Sequence, residues 1–258
     1  MRYRIDPDTS CGCHATLFND CDSGYSEFCR SNQSKASMST DGAYEELLKK
    51  MVDFASGYLD PAWKKRKAGE NHELPTDTTF VEIFRGFTEI GDALDALALT
   101  EDLLRLAPPR SKRIDRDSYL KFLVGSYLQE MYILEQRLTA YAKKLSRLYR
   151  RPSLPAAVRR VVFEPLQGLI NTRGSHVHQR RFTDESLDRV STVALFRRAH
   201  HELGEDLEFE YKRVQLDWRK RVSKNNNAMR RIVDQYCALV AAVVCHDGKV
   251  TLPRIATT

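Results

Sequence analysis

The sequence lacks the features of membrane-spanning proteins and of several large enzyme classes. Its 258 residues contain no apolar run approaching the roughly 18 residues that a membrane-spanning helix requires. The first residues (MRYRIDPDTS) have no apolar core of the kind found in secretion signals. Glycine-rich phosphate-binding loops and the H-E-x-x-H zinc motif are also missing. The sequence therefore predicts a cytoplasmic protein with no membrane association, no metal and no cofactor.

Cysteine is present, but its spacing does not favour a metal site. Four of the six cysteines lie near the N-terminus: Cys11, Cys13, Cys21 and Cys29. Their pattern, C-x-C-x7-C-x7-C, differs from the paired knuckles of zinc sites, and a disulfide framework is unexpected in a large cytosolic chain. Residues 1–40 are rich in Ser, Asp, Asn and Gly, which predicts a disordered or weakly ordered segment. Met38 precedes the first helical pattern and is a candidate for the true start of the protein.

The remaining chain shows helical periodicity almost throughout. Apolar residues make up 42% of the sequence, enough for a sizeable core. We therefore expect an all-α, helical bundle of about five to six helices over residues 41–248, followed by a tail at 249–258. The predicted helices run from Ser39 or Thr40 to Asp60-Pro61, from about Thr79 to Leu106, from Asp117 or Ser118 to Arg151-Pro152, from Pro155 to Asn171 with a kink at Pro165, from a cap at Thr183 to Gly204, and from Asp206 to Cys245.

The third of these helices carries the clearest pattern. Its apolar residues alternate in steps of four and three, which predicts a bundle-type seam. They are Leu120, Val124, Tyr127, Met131, Leu134, Leu138, Tyr141, Leu145 and Leu148. A helix of this length is expected to form one axis of the bundle, since other amphipathic helices are available to cover it. An isolated coiled coil is the alternative.

Two later segments allow more than one structure. In the last helix the apolar seam is interrupted by SKNNN (223–227), which predicts a kink, a buried polar network or a partner surface. In the preceding helix we expect Val190, Val193 and Phe196 on the buried side, with Phe182 and Leu187 as a hydrophobic staple. The C-terminal tail forms either a short strand or no regular structure.

Positive charge is concentrated in one segment. The whole chain has a formal charge of +6, yet residues 147–181 alone carry +7, because Glu164 is their only acid. The arginines are Arg147, Arg150, Arg151, Arg159, Arg160, Arg173, Arg180 and Arg181. Arginine without lysine favours bidentate contacts to phosphate. A solvated basic face with ion-pair partners elsewhere in the fold is the alternative.

The same segment contains LINTRGSHVHQRRF (169–182), the stretch with the clearest chemistry. Arg173 and His178 are separated by four residues, and His176 lies between them. An arginine that binds phosphate beside an imidazole that transfers a proton can cleave RNA without a metal. In a continuous helix the two side chains would diverge, but Gly174 favours a helix end after which the chain can fold back. Otherwise Arg173 caps helix carbonyls and both histidines are surface or packing residues.

This R-x4-H motif after an amphipathic helix, within an all-α bundle, resembles the HEPN superfamily. Many members of that family are ribonucleases of toxin–antitoxin and other defence systems, and they dimerise so that two such motifs face each other. The architectural resemblance covers about residues 41–246, whereas the motif itself is only a few residues. The family usually has a polar residue after the arginine, and here that position is Gly174.

The resemblance implies roles for particular residues. Arg173 would bind phosphate and His178 would act as acid and base, with His176 and Asn171 as auxiliary groups. Arg159, Arg160, Arg180 and Arg181 would contact RNA. The implied partners are RNA, a second copy of the chain in a homodimer, and a cognate antitoxin or other protein. The alternative is a catalytically inactive module of the same fold that binds RNA or a protein partner.

Overall fold

The structure, a computed structural model, describes residues 42–70, 77–110, 113–166, 184–199 and 204–253. These belong to one compact unit, Ser39–Thr258, whose described part confirms the expected all-α bundle. The elements are α1 (Ala43–Lys67), α2 (Thr78–Arg105), α3 (Arg116–Leu148), α4 (Leu154–Val158), a π-helical segment (Arg159–Phe163), α5 (Glu185–Ala199), α6 (Gly204–Val244), β1 (Cys245–His246) and β2 (Lys249–Val250). The predicted N-terminal segment, with Met38 and the four cysteines, lies outside the described residues. None of the described helices has both the length and the apolar character to cross a membrane.

Helix α3 is the central element of the bundle. Every predicted seam residue from Leu120 to Leu145 is at most 3% exposed, and only Leu148 at the helix end is half-buried. Four helices cover this seam, because α3 packs against α2, α4, α5 and α6. Burying one such side chain contributes about 1.5–3 kcal/mol. The isolated coiled coil is therefore excluded.

The predicted end of the first helix at Asp60-Pro61 is wrong, because α1 continues through Pro61 to Lys67. A proline ring inside a helix clashes with the carbonyl four residues earlier, and here that residue is Gly57, which has open space around it. The turn after Pro61 is held by Ala62, which is 3% exposed. Its four basic residues, Lys64 to Lys67, also interact favourably with the negative end of the helix dipole.

Three details predicted for the region of α5 are also wrong. The cap is Asp184 rather than Thr183: its carboxylate accepts hydrogen bonds from the backbone amides of Ser186 (3.0 Å) and Leu187 (3.2 Å). Phe196 is 53% exposed, since at about 100° per residue it lies on the opposite side of the helix from Leu187. Gly204 begins α6 instead of ending α5. Thr183 and the predicted staple residue Phe182 lie outside the described residues.

The interruption of the apolar seam in α6 is a buried polar network. Helix α6 runs without a break through residues 223–227, and Asn225 and Asn226 are 4% and 6% exposed. The Asn226 side-chain amide donates to Glu101 Oε2 on α2 at 2.8 Å. Arg105 Nη2 donates to the other oxygen of the same carboxylate at 2.5 Å. A buried carboxylate is tolerated because both of its oxygens are hydrogen-bonded.

The C-terminal tail begins with a short hairpin. Cys245 pairs with Val250 and His246 with Lys249. The two-residue turn, Asp247-Gly248, has positive φ at both positions (49° and 77°), as a type I′ turn requires. Of the two predicted outcomes, the short strand is therefore the one observed.

The network makes stability depend on pH through Glu101. Burial disfavours its charged form, but the hydrogen bonds from Asn226 and Ser223 and the charge of Arg105 outweigh burial, so the pKa of Glu101 lies below its ordinary value. A lowered folded-state pKa contributes stability above the unfolded pKa of about 4.3, and that contribution is lost as the pH falls through the folded pKa. We expect Glu101→Gln to reduce the loss of stability on acidification.

Urea unfolding of this variant between neutral pH and the acid range measures the effect. Asp92→Asn, which removes an exposed carboxylate from the same helix, is the matched control. If Glu101→Gln and the unmodified protein lose stability in parallel on acidification, the network is not stabilised by an ionised Glu101.

Candidate nucleic-acid interface

Two of the predicted site residues, Arg159 and Arg160, are among the described residues. Both are exposed. Arg173, His178, His176, Asn171, Arg180 and Arg181 all fall in segment 167–183, which lies outside the described residues. The structure describes the chain on either side of this segment, up to Leu166 and again from Asp184.

Arg159 and Arg160 begin the π-helical segment that follows α4. The backbone amide of Glu164 bonds to the carbonyl of Arg159, five residues earlier rather than four. The wider turn lies directly before Pro165, which has no N–H to donate and whose ring would crowd the preceding turn. The expected distortion at Pro165 thus takes the form of a π-helical turn.

This wider turn keeps one face of the segment buried. Leu154, Val158, Val162 and Leu166 follow one another in steps of four, and each is at most 4% exposed. In a regular α-helix such steps drift around the axis, but a π-helical turn rotates less per residue and opposes the drift. The segment packs on α3 and α6 through this face. The guanidinium of Arg159 lies over the ring of Phe163, 5.7 Å from its centroid.

Five exposed arginines lie between the last turn of α3 and the start of the π-helical segment. We call this group the arginine cluster, and its members are Arg147, Arg150, Arg151, Arg159 and Arg160. They lie close together along the chain, where α4 and the π-helical segment pack back on α3. None of the five forms an ion pair with another residue in the described part of the chain. The alternative in which they are neutralised within the fold therefore finds no support among the described residues.

Arg150 has an unusual backbone conformation within the cluster. Its φ is 55°, in the left-handed region, where α3 ends. The amide of Arg151 bonds to the carbonyl of Ser146 at 2.9 Å, which is the six-to-one bond of a Schellman motif. Glycine is the usual residue at this position, because a side chain in the left-handed region costs about 1–2 kcal/mol. The chain thus carries an exposed arginine where stability alone favours glycine.

A second polar feature of the surface was not anticipated from the sequence. A cleft of about 370 Å³ lies between α1, α2 and α6, and Tyr44, Asp95, Asn226 and Asp234 are among its lining residues. Its polar groups come from three helices far apart in the sequence, so local spacing gave no signal. No group of three histidine, cysteine or acidic side chains suited to a metal ion occurs within the described ranges.

Comparisons with known proteins give no relative. No family model matches the chain. Neither the curated proteins nor the solved structures contain a match.

The left-handed backbone conformation of Arg150 leads to a prediction about stability. We expect Arg150→Gly to raise the free energy of unfolding by about 1 kcal/mol, since glycine adopts the left-handed conformation without steric cost. Chemical denaturation followed by circular dichroism measures this change. Arg151→Ala, which removes a neighbouring exposed arginine, is the control and should change stability by less than about 0.5 kcal/mol. A destabilised Arg150→Gly protein would show that the Arg150 side chain makes a stabilising contact.

Proposed function

We propose that this chain is a metal-independent ribonuclease of the HEPN type, in which Arg173 binds the scissile phosphate and His178 transfers protons. The observation that carries the proposal is the arginine cluster of exposed guanidinium groups, which leads along the chain to the R-x4-H motif. Five such groups without ion-pair partners among the described residues suit a polyanion with regularly spaced phosphates. The all-α bundle around a long central helix is compatible with the HEPN resemblance, although bundles host many functions.

The proposed reaction needs no group from outside the protein and its RNA. A neutral His178 imidazole takes the proton of a ribose 2′-hydroxyl, and the 2′-oxygen attacks the adjacent phosphorus. The guanidinium of Arg173 stabilises the charge that develops on the phosphate oxygens. The bond from phosphorus to the 5′-oxygen breaks, and that oxygen receives a proton from an imidazolium or from water. The products are a 2′,3′-cyclic phosphate and a 5′-hydroxyl.

Other residues support this proposal in lesser roles. His176, within the motif, and Asn171, just before it, are auxiliary groups, and Arg180 and Arg181 are two further arginines that follow the motif in the sequence. A homodimer would bring two copies of the motif together, as the HEPN resemblance implies. In that setting a cognate antitoxin or another protein partner would control the activity of a defence or toxin-type effector.

Cleavage of labelled RNA in the presence of EDTA tests the proposal. We expect the unmodified protein to cleave and His178→Ala and Arg173→Ala to lose cleavage by about a hundredfold or more, since general acid–base catalysis alone contributes about 10²–10⁴-fold. The expected products carry a cyclic phosphate end, which mass spectrometry detects.

His176→Ala is the internal control, and it should retain more activity than His178→Ala. Unchanged thermal melting of all three variants would establish that lost cleavage is not lost folding. Undiminished cleavage by the doubly substituted Arg173/His178 protein would remove the assignment of the motif as the catalytic site.

A catalytically inactive module that binds RNA or a protein partner is the second candidate, favoured by Gly174 after the arginine of the motif. Both candidates, the ribonuclease and the inactive module, would use the arginine cluster. RNA affinity therefore does not distinguish them, whereas RNA cleavage does. In either RNA-binding case, affinity should fall steeply with salt because phosphate contacts release counterions. Reversing Arg159 and Arg160 to Glu should weaken binding and lower the salt slope by about 2.

The matched control reverses Arg85 and Arg219, two exposed arginines outside the cluster, so that net charge changes equally. Equal weakening by both pairs would indicate a general charge effect rather than a surface that contacts RNA. Absence of binding to any RNA would leave a protein partner as the role of the cluster.

A further inference from the structure

The cleft between α1, α2 and α6 differs in charge from the arginine cluster. Three carboxylates line it, Glu45, Asp95 and Asp234, against a single basic residue, Arg230. A volume of about 370 Å³ lies within the range of small-molecule sites. The cleft is therefore large enough for a small ligand and carries a net negative formal charge.

A hydrogen-bond acceptor within the lining of the cleft has no partner and is closed to solvent. Asn226 lines the cleft and is 6% exposed. Its amide nitrogen is engaged by Glu101 Oε2 at 2.8 Å, and this contact sets the orientation of the amide because the carboxylate needs a donor. The Asn226 Oδ1 atom is left buried without a hydrogen bond to any described residue. A buried carbonyl oxygen in this state is rare in proteins and is satisfied only by a donor.

The carboxylates that line the cleft can also accept hydrogen bonds from a ligand. Asp234 Oδ1 accepts the backbone amide of Tyr44 at 2.9 Å, which ties α6 to the first turn of α1. Glu45 and Asp95 are exposed at the mouth of the cleft, and neither forms an ion pair within the described part of the chain. Burial, followed by the charges of Asp95 and other neighbours including Glu45, raises the pKa of the Tyr44 hydroxyl. The carboxylates thus produce a negative potential inside the cleft.

The walls of the cleft suit an aliphatic chain. Its apolar lining residues are Leu94, Leu97, Ala98, Met229 and Val233. Tyr44 stacks on Phe87 with ring centroids 5.9 Å apart, which holds its ring in place. A ligand that donates hydrogen bonds, carries positive charge and has methylene groups between its polar ends would match these three properties.

We propose that this cleft binds an aliphatic amine, with the methylene chain against the apolar wall and an ammonium group that donates to Asp234 and, after a small shift of the cleft lining, to Asn226 Oδ1. A second ammonium group, where the ligand has one, reaches Glu45 and Asp95 at the mouth. Arg230 lowers the attraction for cations without reversing it. The ammonium group can belong to a free polyamine or to a lysine side chain, and the choice of probes separates the two. This site is independent of the proposed ribonuclease activity.

Isothermal titration calorimetry of the full chain, purified free of nucleic acid, tests this assignment. The probes are spermidine, putrescine and Nα-acetyl-lysine methylamide, with 1,4-butanediol as the uncharged match for putrescine and Mg²⁺ as an inorganic cation at equal ionic strength. We expect saturable binding of at least one amine with a Kd below about 1 mM, and no saturable binding of the diol or Mg²⁺. Preference for spermidine or for the lysine derivative identifies the source of the ammonium group.

Three variants locate the binding. Asp95→Asn should raise the Kd about tenfold by removing a charge at the mouth. Asp234→Asn should also raise the Kd about tenfold, and its amide oxygen can still accept the hydrogen bond from the Tyr44 backbone amide. Ala98→Leu should abolish binding by filling the cleft without changing its charge. Asp53→Asn removes an exposed carboxylate of α1 outside the cleft and should leave the Kd unchanged.

Two results would overturn the proposal. One is the absence of saturable binding for all three amines. The other is binding that Asp95→Asn and Ala98→Leu leave within twofold of the unmodified protein, provided that both variants keep its melting temperature. Since neither substitution touches segment 167–183, RNA cleavage in these variants reports separately on the ribonuclease proposal.

Discussion

The contact between Asn226 on α6 and Glu101 on α2 is the constraint on which the arrangement of the long helices depends. Both side chains are buried, so a shift of either helix by one turn would leave a carboxylate and an amide without partners in the core, at a cost of several kcal/mol. Apolar seams tolerate such shifts more easily, because one aliphatic contact resembles the next. Gln215 on α6 adds a second contact that fixes the position of α6 along α2. Its side-chain amide donates to the carbonyls of Leu104 (3.0 Å) and Leu106 (2.9 Å) at the end of α2.

The parts of the fold that the sequence predicted are those with local causes. The alternation of fours and threes in α3 marks a single buried line, which can be recognised from residues close together in the sequence. The errors arose where tertiary contacts outweigh a local rule. Pro61 ends isolated helices, but here the burial of Ala62 holds the next turn in place. For SKNNN, sequence spacing left three outcomes open, because the partner that decides among them, Glu101, lies more than a hundred residues away.

The candidate sites, like the fold, could be predicted only in part from the sequence. An excess of arginine between residues 147 and 181 is visible in the sequence, and the described members of that group are exposed as a phosphate-binding surface requires. The left-handed conformation of Arg150 was not foreseen, since the sequence pattern does not reveal which residue occupies the position after a helix end. The cleft was not foreseen either, because Tyr44, Asp95 and Asp234 come together only when α1, α2 and α6 pack.

The net charge of this chain therefore conceals two regions of opposite charge. Segment 147–181 carries more positive charge than the whole chain, so the remainder is close to neutral and its acidic cleft is hidden in the total. The two surfaces also differ in their exposure to solvent ions. The arginine cluster is open, so its attraction for phosphates is screened over about 10 Å at moderate salt, whereas groups in a partly enclosed cleft are screened less. The two proposed ligands, an anionic polymer and a small cation, therefore do not compete for one surface, because the arginine cluster and the acidic cleft are formed by different residues.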